Sequence, residues 1–293
     1  MDESKRARLL ELQRMEATEA EVSRRLAKMQ PDPVNQSILN GIALEEERHE
    51  AVIAKMTGEE VKADGLRVMK QVVLAKLFGF TFSVKMMEGT EHDAAAEYRE
   101  LGLYDIAEEE EAHEQNMIDM LDEERLRYSG SGVLGMSDAL IELTGALAGL
   151  TFALQSLQLV ALAGLVTGIA AAFSMGASEY LSSRAEKKAE SAVKAAFFTW
   201  LSYLVTVFLL VGPYLVFQVD SPDFHGLEPH VQALMCTFAI GLLIVAVFNL
   251  YVSVVEEVSF RSRFLEMTGI LGVVSLISYG IGIALRGMLG IDI

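Results

Sequence analysis

The chain has 293 residues, a formal net charge of -17 and a single cysteine, Cys236. That charge excludes a basic nucleic-acid surface, so no nucleic acid is expected as a partner. One cysteine excludes intrachain disulfides, Cys-based zinc sites and iron–sulfur clusters held within one chain. Most of the 41 Asp and Glu and of the 24 Lys and Arg fall in residues 1–132, whereas 133–293 read as long apolar runs. A soluble acidic half followed by a membrane half is expected, because spanning a bilayer takes roughly 20 apolar residues.

In chain order, the first thirty residues are charged and hold no apolar core, so no secretory signal peptide is expected. Helical spacing predicts a first helix over residues 5–30, stopped by Pro31-Asp32-Pro33. A second is predicted from Val34 to Met56, ending at Thr57-Gly58. A third region runs from Asp64 to Leu101 with a break at Gly79. A fourth runs from Tyr104 to Tyr128, and Ser129-Gly130-Ser131-Gly132 then reads as a hinge. Val68 to Met87 is unusually apolar, but Lys70, Lys76 and Lys85 interrupt it. It is expected as a bundle helix or one on a membrane surface, not as a span.

Five spans are predicted, at 133–154, 157–180, 193–217, 231–254 and 264–289. Arg184, Lys187, Lys188 and Lys194 follow the second, and Arg261 and Arg263 follow the fourth. The loops near Gln155-Ser156 and from Gln218 to His230 have no Lys or Arg. This alternation predicts a cytosolic N-terminal domain and a C-terminus on the opposite side, with Arg286 a small exception.

The second helix carries Glu46-Glu47-Arg48-His49 and the fourth Glu110-Glu111-Ala112-His113, each a Glu-x-x-His. Residues i and i+3 share a helix face, so each pair aims a carboxylate and an imidazole at one point. Two such pairs plus a Glu from each of two other helices make the di-iron site of a four-helix bundle. The third region offers Glu88 and Glu91, and the first helix offers Glu16 and Glu19. A lone Glu-x-x-His in a Glu-rich helix is more often a solvated face; the ordered set, one element per helix, is what points to metal. His92 and the remaining acids read as solvated surface. Glu46 and Glu88 are centred on Arg67, which is not turn-like, so a crossover is expected between the second and third bundle helices.

These residues resemble the ferritin-like domain of rubrerythrins over residues 1–128. The resemblance implies Glu16 and Glu88 as terminal ligands, Glu46 and Glu110 as bridging carboxylates, His49 and His113 as one imidazole per metal, and Glu91 as an additional carboxylate. Glu16 fits better than Glu19, because Leu26-Ala27 then falls where that family has an aromatic-Ala pair. Ser23 departs from the family's usual Tyr, and the cysteine-ligated rubredoxin module has no counterpart here. An Fe2+ di-iron site is implied, with Mn2+ as the second candidate metal.

In the first span, Asp138 and Glu142 lie at i, i+4; in the second, so do Met175 and Glu179. Charges within spans cost about 2.5–3.5 kcal/mol each on insertion scales, which makes them functional candidates. The competing readings are plain: Asp138 at the interface, Met175 as packing, and Glu256, Glu257 and Glu266 at span ends. Gly145-x-x-x-Gly149 and Gly164-x-x-x-Gly168 fit close helix packing. Ser137-Asp138-Ala139-Leu140, Ser174-Met175-Gly176-Ala177-Ser178-Glu179-Tyr180 and the five spans resemble the vacuolar iron transporter family, across 129–293. The resemblance implies an Fe2+/Mn2+ exporter exchanging metal for protons, a homodimer, and Asp138 and Met175 on the path; helix geometry adds Glu142 and Glu179. Many members carry a Glu-rich helical insert between spans two and three, and here that loop is short.

The expected architecture is all-α: a ferritin-like four-helix bundle, then a five-helix membrane domain, together combining metal capture and metal export. Competing readings are a membrane-anchored di-iron ferroxidase or peroxidase, and a bundle that gates the pore as a metal sensor.

Overall fold

The computed structural model describes residues 3–119, 123–185, 189–217 and 226–289; the side chains of 91–93, 119, 123–129, 189–191 and 289 lie outside the described set. The chain is all-α. Its contacts divide it into two units, Met1–Asp122 and Glu123–Ile293.

The first unit contains α1 (Glu3–Ala27), α2 (Pro33–Thr57), α3 (Gly65–Phe78), α4 (Phe80–Leu101) and α5 (Tyr104–Asp119). The ends follow local chemistry. Asp32 caps α2, accepting from the Val34 amide at 3.1 Å, and Pro33 occupies the first turn, where its missing N–H costs nothing. Asp64 caps α3 through the amides of Leu66 and Arg67. Gly58 and Gly102 close α2 and α4 in the left-handed conformation, at φ +72° and +81°. Gly79, at φ +91°, separates α3 from α4, so the predicted break is real.

Helices α1 and α2 pack as one antiparallel pair and α4 and α5 as another, while α3 lies in the connection between them against α1 and α4. Two apolar layers form the core. Leu9, Leu12, Ile53, Tyr98 and Ala107 belong to one; Val22, Leu26, Leu39, Val84 and Met117 belong to the other. Along α1 the first layer precedes Glu16 and the second follows it, which leaves a buried polar layer between them.

The second unit contains α6 (Glu123–Leu154), α7 (Leu157–Ala185), α8 (Ala189–Val216), α9 (Pro229–Val255) and α10 (Phe260–Leu289). Each has a stretch long and apolar enough to cross a membrane, from Gly130–Leu154 to Phe260–Met288. Glycines permit the close approaches. A Cβ added at Gly149 would lie 2.8 Å from the Ser278 carbonyl oxygen, and one at Gly168 would lie 2.8 Å from a Val207 methyl. Both predicted small-residue pairs therefore face neighbouring helices.

One expectation is corrected. Ser129 to Gly132 are not a hinge but continue α6. Two glycines weaken a helix by about 1 kcal/mol each, but tertiary contact overrides propensity here. The Ser131 carbonyl accepts from the buried Thr199 hydroxyl at 2.9 Å, and the Ser131 hydroxyl donates to Glu179 at 2.9 Å. Of the predicted fourth helix, Tyr104–Asp119 form α5, residues 120–122 lie outside the described residues, and residues 123–128 belong to α6.

Candidate metal centre

The polar layer of the first unit gathers Glu16, Glu46, His49 and Glu110, with one ligand atom from each lying within 4.8 Å of the others. All four are buried, as is His113. α1 supplies Glu16, α2 supplies Glu46 and His49 one turn apart, and α5 supplies Glu110 and His113 one turn apart. His49 Nδ1 is 3.0 Å from Glu110 Oε1, 3.4 Å from Glu16 Oε2 and 3.8 Å from Glu46 Oε2. His113 Nδ1 is 3.0 Å from Glu46 Oε1 and 3.7 Å from Glu110 Oε2. The two imidazoles sit 5.9 Å apart, centroid to centroid, with both Nδ1 atoms turned to the same carboxylates.

Buried carboxylates at this density need positive charge nearby. The imidazoles respond to that field. Burial alone would lower the His49 pKa, but the carboxylates of Glu110 and Glu16 outweigh it and raise it to about 10. The His113 pKa is raised in the same way, with burial again opposed by Glu110 and Glu45. With a pKa of about 10, the His49 ring keeps its proton at neutral pH when no cation is bound.

The fit to a metal can be tested on individual atoms. Glu16 Oε2 and His49 Nδ1 are both buried, and among the described residues each faces only the other ligand atoms of the group, without a well-aligned hydrogen bond. They are 3.4 Å apart, inside the same group. Three carboxylates and an imidazole on converging helices suit a divalent transition-metal ion.

Of the predicted bundle residues, Glu16, Glu46, His49, Glu110 and His113 are brought together. Glu19 is buried but does not join the group. Glu88 is buried too, and both of its oxygens lie 2.9 Å from the ammonium of Lys85, one turn away. The side chains of Glu91 and His92 lie outside the described residues.

Sequence reading missed three residues. His49 Nε2 is held by Glu109 at 2.6 Å and His113 Nε2 by Glu45 at 2.5 Å. These outer carboxylates fix the tautomer and leave Nδ1 facing the group, the usual support of a metal-binding imidazole. Arg48 in turn pairs with Glu109. The third is Tyr98, fully buried, whose hydroxyl donates to Glu16. A signal for the outer pair was present: each Glu-x-x-His is preceded by Glu, giving Glu45-Glu46-x-x-His49 and Glu109-Glu110-x-x-His113.

In the second unit, Asp138 is half-buried, and Glu142, one turn on, is exposed and accepts from the fully buried Tyr203 hydroxyl at 2.8 Å. Met175 packs at the edge of the core formed by α6 to α10. Glu179 accepts from Ser131 and, at 3.4 Å, from Ser183. Among the described residues of this unit, these acids form no group of three or more His, Asp or Glu.

Comparison with known proteins bears on this unit. Residues 130–192, covering most of α6 and all of α7, match the VIT family. No curated protein and no solved structure matches the chain. The chain thus joins a segment that matches the VIT family, residues 130–192, in a unit of five candidate membrane helices, to an N-terminal helical region with a buried Glu/His cluster.

Proposed function

We propose that this protein exports divalent iron, with Mn2+ as an alternative cargo, and that its N-terminal bundle captures the ion. The observation that carries this reading is one covalent chain holding both a buried Glu16–Glu46–His49–Glu110 group and a VIT family match over its first two apolar helices. The order of elements and the Glu-x-x-His pairs resemble the ferritin-like domain of rubrerythrins, which supports a two-metal site that also uses His113, Glu88 and Glu91. The alternating Lys/Arg pattern supports a cytosolic bundle.

In this reading Fe2+ is gathered by the bundle and passes along a path that includes Asp138 and Met175. Asp138, Glu142 and Glu179 supply carboxylates, and Met175 supplies a thioether that favours transition metals over Ca2+ or Mg2+. Exchange of protons for metal at Asp138 or Glu142 would couple export to a pH gradient. Glu142 is exposed within a single chain although it lies inside a candidate span. A charge there faces water or protein rather than lipid, which supports a homodimer with the path between copies.

The test is metal-resolved flux in proteoliposomes, with and without a pH gradient. Fe2+ flux that collapses in Asp138→Ala and Met175→Ala supports the path; unchanged flux in both overturns it. Deleting residues 3–119 separates two roles of the bundle: slower flux means delivery, and faster flux means gating.

A second reading is a membrane-anchored ferroxidase or peroxidase. The outer carboxylates on both imidazoles favour it, because they hold a metal firmly rather than for release. Peroxide consumption by the full chain without metal flux would select it.

A further inference from the structure

Helix α3 exposes a continuous apolar face. Leu66, Met69, Val73 and Leu77 follow the spacing i, i+3, i+7, i+11, so they form one stripe. All four are more than half exposed, from 54% at Val73 to 71% at Leu66. The opposite side, through Val68 and Ala75, packs into the bundle core. The stripe is therefore not an unsatisfied core face; α3 is apolar on both sides.

The charges of α3 are equally distinctive. It carries Arg67, Lys70 and Lys76 and no acid, whereas α1, α2, α4 and α5 all carry Glu in an acidic unit. Lys70 and Lys76 flank the stripe on its two sides, and neither makes an ion pair among the described residues. An apolar stripe bordered by lysines is the pattern of a helix lying in a membrane interface, with its apolar side chains among the acyl chains and its ammonium groups at the phosphates. A second copy is a poorer occupant. A two-fold contact through α3 would set Lys70 and Lys76 beside their own symmetry mates, like charge against like.

We propose that α3 is a membrane-surface helix that docks the metal-binding unit onto an anionic lipid leaflet through Leu66, Met69, Val73 and Leu77. The proposal rests on the reading that α6 to α10 cross a bilayer, which tethers the unit beside that leaflet and raises the effective concentration of lipid around α3.

The experiment uses the full chain with Cys236→Ser as background. Val73→Cys and Met69→Cys place an environment-sensitive fluorophore on the stripe. Leu44→Cys, on an exposed position of α2, is the control. Each is reconstituted into phosphatidylcholine vesicles, with or without phosphatidylglycerol, containing doxyl-labelled lipid as quencher. The expected result is blue-shifted emission at both stripe positions and quenching several-fold greater than at Leu44. Phosphatidylglycerol should increase it, and Lys70→Glu with Lys76→Glu should abolish that increase. Quenching no greater than at Leu44 overturns the proposal. A blue shift without lipid quenching also overturns it and assigns the face to a second copy. Loss of the chain from vesicles on an alkaline carbonate wash overturns the membrane reading itself, and this proposal with it.

Discussion

His113 Nε2 on α5 lies 2.5 Å from Oε2 of Glu45 on α2. The relation is reciprocated, since His49 on α2 is held from α5 by Glu109. Each Glu-Glu-x-x-His run thus serves the centre twice: its second Glu and its His face the group, and its first Glu orients the imidazole of the other helix.

Glu45→Gln and Glu109→Gln should each weaken metal binding about 10- to 100-fold, the usual cost of losing an outer carboxylate. Glu47→Gln, whose residue pairs with Arg24 on the surface, should leave affinity unchanged. Titration with Co2+, followed by its visible absorption, checks all three.

Metal binding should release protons. The His49 pKa, raised to about 10, keeps that ring protonated at neutral pH, and the His113 pKa is shifted in the same direction by Glu110 and Glu45. A metal ligand must be neutral imidazole, so the protons leave and apparent affinity rises with pH. Calorimetry in buffers of differing ionisation enthalpy measures the number released. A binding heat independent of the buffer would contradict this.

Gly149→Ala should destabilise the second unit by about 1–3 kcal/mol, the usual cost of overpacking. Its methyl would meet the backbone at Ser278, which cannot turn aside. Gly212→Ala, with open space around it, is the control. Thermal aggregation of the detergent-solubilised protein compares them, and equal midpoints would contradict the packing.

Tyr203→Phe removes a hydroxyl that donates to Glu142. A hydrogen bond to a charged group contributes about 1.5–3 kcal/mol, so Fe2+ flux should change by at least about tenfold if Glu142 carries protons or metal. Folding should survive, because the ring remains in the core. Flux equal to wild type would remove Glu142 from the path.

Much of this was legible because it is local. Pro31, Pro33, Gly58, Gly79 and Gly102 punctuate the bundle where the sequence places them, since each acts through its own backbone. The inward-facing Glu and His of α2 and α5 follow from i, i+3 spacing, whereas spacing left Glu16 and Glu19 both open and only the family resemblance favoured Glu16. What was not legible depends on partners distant in sequence. Ser129 to Gly132 look like a hinge until Thr199 hydrogen-bonds the Ser131 carbonyl. Glu45 and Glu109 look like members of solvated runs until the opposite helix brings each an imidazole. Tyr98 reveals nothing until Glu16 lies beside it. Glu88 shows the converse, because its neighbour Lys85 was in view, yet only the folded helix sets the ammonium against both carboxylate oxygens.

The division of the centre between two helix pairs constrains its birth on the ribosome. When α1 and α2 have emerged, the chain owns Glu16, Glu46 and His49, but Glu110 and the carboxylate that orients His49 are still to be synthesised. The nascent hairpin holds only part of the donor set, and the later hairpin alone is no better supplied. The full donor set arises only when α5 docks, so the polypeptide meets a metal ion as a finished site and not as a half-made one.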